Sequence, residues 1–134
     1  WEYACRGGTT TAIHSTPERP NGSNKIAQLK YIAWYDNFPN FNGRPHAVGG
    51  KAPNAFGFYD MSGNMWEWCN DWYGATYYST SPSTDPTGPS SGSIRVLRGG
   101  FWYNYSNNCR SSFRTYADPV NRYSSVGFRA ARTP

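Results

Sequence analysis

Aromatic rings must do in this chain much of what aliphatic side chains do in most domains of its size. Aromatic residues make up 18% of the 134 residues, with 6 Trp and 11 Tyr, whereas Leu and Ile are scarce. Tyr and Trp carry polar tips that need partners when buried, so they suit a half-wet, loop-rich interior and binding surfaces. A core built largely from such rings, alongside 14 Gly and 10 Pro, predicts little regular structure. Long loops in such a domain need tying down, by aromatic packing or by a bound ion. The length holds one domain and is too short for two. Hydrophobic alternation is weak, which argues against a clean sandwich or barrel; short strands with few helices predict an α+β domain.

Along the chain, Trp1-Glu-Tyr-Ala-Cys-Arg6 reads as the end of a helix stopped by Gly7-Gly8. A chain that opens in mid-helix is expected to lack the N-terminal part of its domain. Residues 9–24 are turn-rich, 25–35 suit a short helix or an ordered loop, and 36–50 are loop again. The apolar–aromatic run 55–60 leads into a tight turn at Ser62-Gly63-Asn64, followed by a strand within 65–71. A long Ser/Thr/Pro/Gly loop spans 73–93. Short strands are expected at 95–98, ending on Gly99-Gly100, and at 126–131. No apolar run approaches the roughly 20 residues of a membrane span, so direct membrane insertion is not expected.

Cys5, Cys69 and Cys109 are an odd, widely spaced set without CxxC spacing, which argues against zinc and reads as buried thiols; one disulfide among them stays open. Net charge is +5, unevenly placed. Residues 1–94 carry 6 basic and 7 acidic side chains, giving −1; residues 95–134 carry 7 Arg and only Asp118, giving +6. Such asymmetry can mark nucleic-acid binding. The tail holds no Lys, however, and arginines pairing with carbonyls and carboxylates inside the fold explain the pattern without nucleic acid.

The block Asn54-Ala-Phe-Gly-Phe-Tyr-Asp60-Met-Ser-Gly63-Asn-Met65-Trp-Glu67-Trp sets two carboxylates, Asp60 and Glu67, around a Gly-containing turn. Two carboxylates plus carbonyls exposed by a sharp turn make a hard-cation site suited to Ca2+. Two solvated acids on a loop would share the spacing.

This block, with Trp1-Glu-Tyr-Ala-Cys-Arg-Gly-Gly8, Arg95-Val-Leu-Arg-Gly-Gly100 and Gly127-Phe-Arg129, resembles the formylglycine-generating-enzyme (sulfatase-modifying factor) domain superfamily. The resemblance runs over residues 1–131, loosely across 9–44. It implies a C-type-lectin-like fold stabilised by calcium. The ion would be held by side-chain oxygens of Asp60 and Glu67 and by the backbone carbonyls of Gly63 and Met65. Oxidase members of the superfamily convert a substrate cysteine to formylglycine with copper held by two thiolates after the Gly-Gly pair. Aligned on Gly99-Gly100, those positions carry Asn104 and Cys109. Cu(I) is a soft ion that wants both thiolates, so copper is not expected here. An iron-dependent branch uses histidines of a companion domain, whereas this chain has only His14 and His46, both in loops.

Residues 101–125 resemble the variable region of diversity-generating-retroelement proteins, which use the same fold as a display scaffold. In those systems template adenines are randomised, so Asn codons become many residue types but never Lys, Gln, Glu, Met or Trp. None of the first four occurs in 101–125, although together they number only 9 in the whole chain, and the one Trp, at 102, sits where the family scaffold itself has an aromatic. Fixed-looking residues, among them Trp102, Cys109, Arg110, Arg114 and Pro119, separate clusters of Tyr, Ser, Asn, Thr and Asp, the composition of antibody paratopes.

The reading is a non-enzymatic domain that binds a macromolecular ligand, expected to be protein, on a cell or virion surface outside the cytoplasm. Its contact residues would be Phe101, Tyr103, Asn104, Tyr105, Ser106, Phe113, Thr115, Tyr116, Asp118, Val120, Tyr123 and Ser124. The alternative is an oxidase or accessory domain of the same superfamily.

Overall fold

The computed structural model describes residues 1–16, 18, 21–24, 26–36 and 43–131; the loops expected at 9–24 and 36–50, and the start of the 25–35 segment, lie partly outside them. Helix α1 (Glu2–Arg6) ends on Gly7, whose φ of 55° is left-handed. Arg6 reaches back one turn to Glu2 at 2.7 Å. Ile26–Tyr31 form a 3-10 helix. It leads into β1 (Ala33–Trp34), which pairs in parallel with β2 (Ser62–Gly63). The tight turn read at Ser62-Gly63-Asn64 is thus half strand. Only glycine fits at 63, because φ is +74° and a Cβ would collide with the Trp34 backbone.

The main sheet has the order β5-β4-β3-β6, made of β3 (Trp66–Trp72), β4 (Arg95–Arg98), β5 (Arg114–Ala117) and β6 (Val126–Gly127). β4 runs antiparallel to both β3 and β5, while β6 lies parallel to β3 with Gly127 opposite Glu67. A register shift between Trp68 and Trp72 marks an irregularity in the β3–β4 pair. Because side chains alternate along strands and opposed residues share a face, one face carries Trp66, Trp68, Leu97 and Thr115. The other carries Glu67, Arg98 and Arg114.

Two strand expectations need correction. The last strand stops at Gly127, not Ala131, because the chain leaves the sheet there and Arg129 turns in to meet Glu67. β5 lies within the 101–125 segment, where no strand was expected. Its four residues are half-buried or exposed and carry no alternation, so nothing in them announces a strand.

The core also differs from the ring-built interior expected. Among the described residues Trp66 is the one buried aromatic; Cys5, Ile13, Leu29, Ile32, Ala33, Met61, Val96, Leu97 and Cys109 are the other buried hydrophobics. The rings instead lie half-covered over the sheet. Phe101 and Phe113 approach Trp66 at 6.5 and 6.0 Å between centroids, and Tyr123 approaches Trp68 at 6.2 Å. Rings at such distances, tilted, are in the favourable range for aromatic pairs.

Candidate ligand-binding surface and cation pocket

Residues 101–125 include β5 at the sheet edge; Phe101, Phe113 and Tyr123 lie against Trp66 and Trp68, while Arg98 and Arg114 hold the segment from the opposite face. Gly100 opens the segment at φ +81°, and a Cβ there would come within 2.6 Å of the Cys109 sulfur. Cys109 is fully buried. Arg98, itself buried, donates to the carbonyls of Ser111 (3.2 Å) and Phe113 (3.1 Å) and pairs with Glu2 at 2.9 Å. The Ser111 amide binds the Ala12 carbonyl at 3.0 Å, and the Trp102 amide that of Asn64 at 2.9 Å. Arg114 donates to the Gly74 carbonyl at 2.9 Å and lies over the rings of Tyr73 and Tyr78.

Together with Arg95 on the Asn70 carbonyl and Arg110 on the Asn107 carbonyl, both at the surface, and Arg129 on Glu67, five of the tail's seven arginines have partners within the chain.

None of the twelve contact residues read from the sequence is buried. Tyr103, Tyr105, Tyr116, Val120, Tyr123 and Ser124 are exposed, and the other six are half-buried. The twelve are not equivalent. Phe101, Phe113 and Tyr123 press rings on the sheet and anchor the segment. Asn104 closes a turn, its Oδ1 accepting the Phe101 amide at 3.1 Å, while its carbonyl accepts the Asp36 amide at 2.9 Å. Asp118 shapes a turn in the same way, accepting the Val120 amide at 3.0 Å. Tyr116 stands on the opposite face from Thr115, at 4.4 Å from Tyr73. Tyr73 and Tyr78 border this surface although they lie outside the segment; their place in a low-complexity loop gave no signal.

The four residues read as cation ligands do come together. Asp60, Gly63, Met65 and Glu67 line one cavity of about 520 Å3, with Arg129 and the apolar walls Phe58 and Phe128. Asp60 adopts a left-handed backbone, φ 56°. Its Oδ2 accepts the Gly49 amide at 2.7 Å, while Oδ1 is buried without a hydrogen-bond partner. An orphaned buried carboxylate oxygen fits a cation ligand, since leaving it unpaired costs free energy. Glu67 is 8% exposed and bound on both oxygens by Arg129 and Trp1. Arg129, which the sequence presents only as the end of the Gly127-Phe-Arg129 motif, faces this pocket. Among the described residues no group of three or more His, Cys, Asp or Glu gathers, so a cation here would depend on backbone carbonyls.

The cysteines are free thiols, Cys5 and Cys109 buried and Cys69 half-buried. Burial pushes Cys5 and Cys69 up to about 11 and Cys109 up to about 12. With no metal bound, thiols held this far from ionisation are protonated at neutral pH and are poor nucleophiles.

Mixed helix and strand, a curled sheet and long ordered loops define the C-type-lectin-like fold of formylglycine-generating enzymes and variable proteins. The sulfatase-modifying factor enzyme 1-like domain matches residues 1–134, and the chain belongs to that family. Calcium binding is a property of the family. The chain is 35% identical over 142 residues to the formylglycine-generating enzyme of Streptomyces coelicolor, covering 98% of this chain and 44% of the enzyme. Among solved structures, Treponema denticola variable protein 1 matches at TM-score 0.81 and 40% identity, over 96% of this chain and 43% of that one. PvdO from Pseudomonas aeruginosa matches at TM-score 0.73 and 26% identity, over 95% and 47%. The chain therefore spans less than half the length of each of these relatives.

Proposed function

We propose that this domain is a non-enzymatic display module of the diversity-generating-retroelement kind, binding a macromolecular ligand, protein by preference, on a cell or virion surface. One observation carries the reading. Residues 101–125 hold a set of exposed Tyr, Ser and Val side chains, while the atoms that fix the segment belong to Gly100, Cys109, Arg98 and Arg114. Exposed positions can change without moving the anchors, which is what a variable surface requires. Tyr supplies contact area with few rotors, and Ser adaptable hydrogen bonds. The likeness to Treponema denticola variable protein 1 supports this reading.

The second reading, a copper-dependent oxidase, is favoured by the relatives named formylglycine-generating enzyme. Against it stands Asn104, an amide that closes a turn where Cu(I) would need a second thiolate, leaving Cys109 alone. The same account takes the pocket at Asp60 as a structural calcium site, with Asp60 and the Gly63 and Met65 carbonyls as ligands and Glu67 contributing what Arg129 leaves free. The ion would supply charge and rigidity to the turn.

Sequencing the DNA beside the gene tests the function. A near-copy of the codons for 101–129, differing at adenines, together with a reverse-transcriptase gene, is the expected result. Neighbouring sulfatase genes, and conversion of a cysteine peptide to its formylglycine form by the copper-loaded protein, would overturn it.

A further inference from the structure

Glu67 is gripped more fully than a plain cation ligand needs to be. Its Oε1 accepts Arg129 Nη2 at 2.7 Å, and its Oε2 accepts Arg129 Nε at 3.0 Å and Trp1 Nε1 at 2.6 Å. A carboxylate offers about four lone-pair positions; three are filled, and the one left is on Oε1. The same Arg129 Nη2 donates to the Tyr59 carbonyl at 2.8 Å, one residue before Asp60. The guanidinium thus bridges both flanks of the pocket. The parallel pairing of β6 with β3 delivers it, by setting Gly127 beside Glu67.

We propose that Arg129 is a resident cation of the Asp60–Glu67 pocket, a positioning residue that joins its two flanks and lessens the fold's need for calcium. The proposal rests on the calcium reading above. Asp60 and Glu67 bring two negative charges, and the guanidinium cancels one of them. Calcium affinity follows the charge count and rigidity of its ligands. Arg129 acts on both terms in opposite senses. It repels a second cation and bars Glu67 from two-oxygen ligation, yet it also preforms the ring. Charge dominates, because a full charge a few ångströms away in a half-buried site outweighs the ordering of one hydrogen-bonded bridge. Losing the guanidinium should therefore weaken the calcium-free fold and tighten calcium binding, by about tenfold.

Thermal melting in excess calcium chloride and in EGTA tests this with wild type, Arg129→Gln, Arg129→Lys and Asp60→Asn. Wild type should gain only about 2 °C from calcium, a fraction of a kcal/mol for a chain of this size. Arg129→Gln should melt well below wild type in EGTA and recover most of the loss in calcium. Arg129→Lys keeps the charge but loses the fork, so its calcium response should fall between the two. If Arg129→Gln does not fold, the comparison of Arg129→Lys with wild type decides. Equal calcium responses in wild type and the Arg129 variants, with none in Asp60→Asn, would overturn the role of Arg129 and leave the calcium reading standing. No response in any variant would sink both.

Discussion

At the residue scale, Gly100 is the narrowest point in the scaffold of the binding segment. Its φ of +81° disfavours any Cβ, and that Cβ would meet the Cys109 sulfur at 2.6 Å, where two buried groups cannot both keep their places. Gly100→Ala should cost about 2 kcal/mol, seen as a melting temperature lower by roughly 8 °C. An unchanged melting temperature would mean that Cys109 and the start of the segment are not fixed against each other. The four positions that the family resemblance implied as cation ligands, Asp60, Gly63, Met65 and Glu67, line one cavity. Asn104 was recognised as the departure from the oxidase pattern, but its turn-closing hydrogen bond was not. A side-chain amide that bonds three residues back looks like any other polar loop residue until the backbone brings them together.

The same division holds for secondary elements. β3 and β4 could be read because rings, branched side chains and a Gly-Gly stop frame them. β5 could not, since Arg-Thr-Tyr-Ala is half-exposed and gains its strand character from pairing with β4. Such tertiary override is the usual limit on strand propensity. The same pairing gives the 101–125 segment a firm base. Arg98 is the clamp, spanning the Ser111 and Phe113 carbonyls and the Glu2 carboxylate. Arg98→Ala would strip partners from three acceptors at once and should cost about 3–4 kcal/mol, the loss typical of breaking a buried ion pair. Arg98→Lys should recover part of this, because an ammonium cannot span the fork. Urea denaturation of the two variants checks the order, and an Arg98→Ala protein as stable as wild type would remove the clamp from the account.

At the scale of the whole molecule, stability should peak in a window set by buried groups. Burial lowers the pKa of His14, whose ring donates Nδ1–H to the Ser15 carbonyl, and His46 is lowered by desolvation and by Arg44 and Lys51. A histidine depressed in the fold contributes stability that is complete above its unfolded value, about 6.5, and is lost as pH falls. The thiols act at the other limb. Raised to about 11 and 12 in the fold, they contribute stability below the unfolded thiol value, about 8.5, and lose it as pH rises. The urea midpoint should therefore be highest near pH 7.5 and lower at both 5.5 and 10, and His14→Gln should flatten the acid limb. A midpoint still rising at pH 10 would contradict the burial of the thiols.

The claim that joins these scales is that 101–125 combines a fixed frame with replaceable side chains. The frame was legible as Gly99-Gly100, Cys109, Arg110 and Arg114 standing among Tyr, Ser and Asn, and the rings of Phe101, Phe113 and Tyr123 now join it through Trp66 and Trp68. What sequence could not separate was anchoring ring from replaceable ring, because Phe101, Phe113 and Tyr123 read like Tyr103, Tyr105 and Tyr116 until the sheet sets them apart. A direct measurement is to randomise Tyr103, Tyr105, Ser106, Thr115, Tyr116 and Ser124 together, and, in a second library, Gly100, Arg98, Cys109 and Phe113. Both libraries are displayed and scored for folding by protease resistance, then for binding to an arbitrary protein target. The account predicts that most members of the first library stay folded and yield binders, while nearly all of the second are cleaved. Equal loss of folding in the two libraries would contradict it.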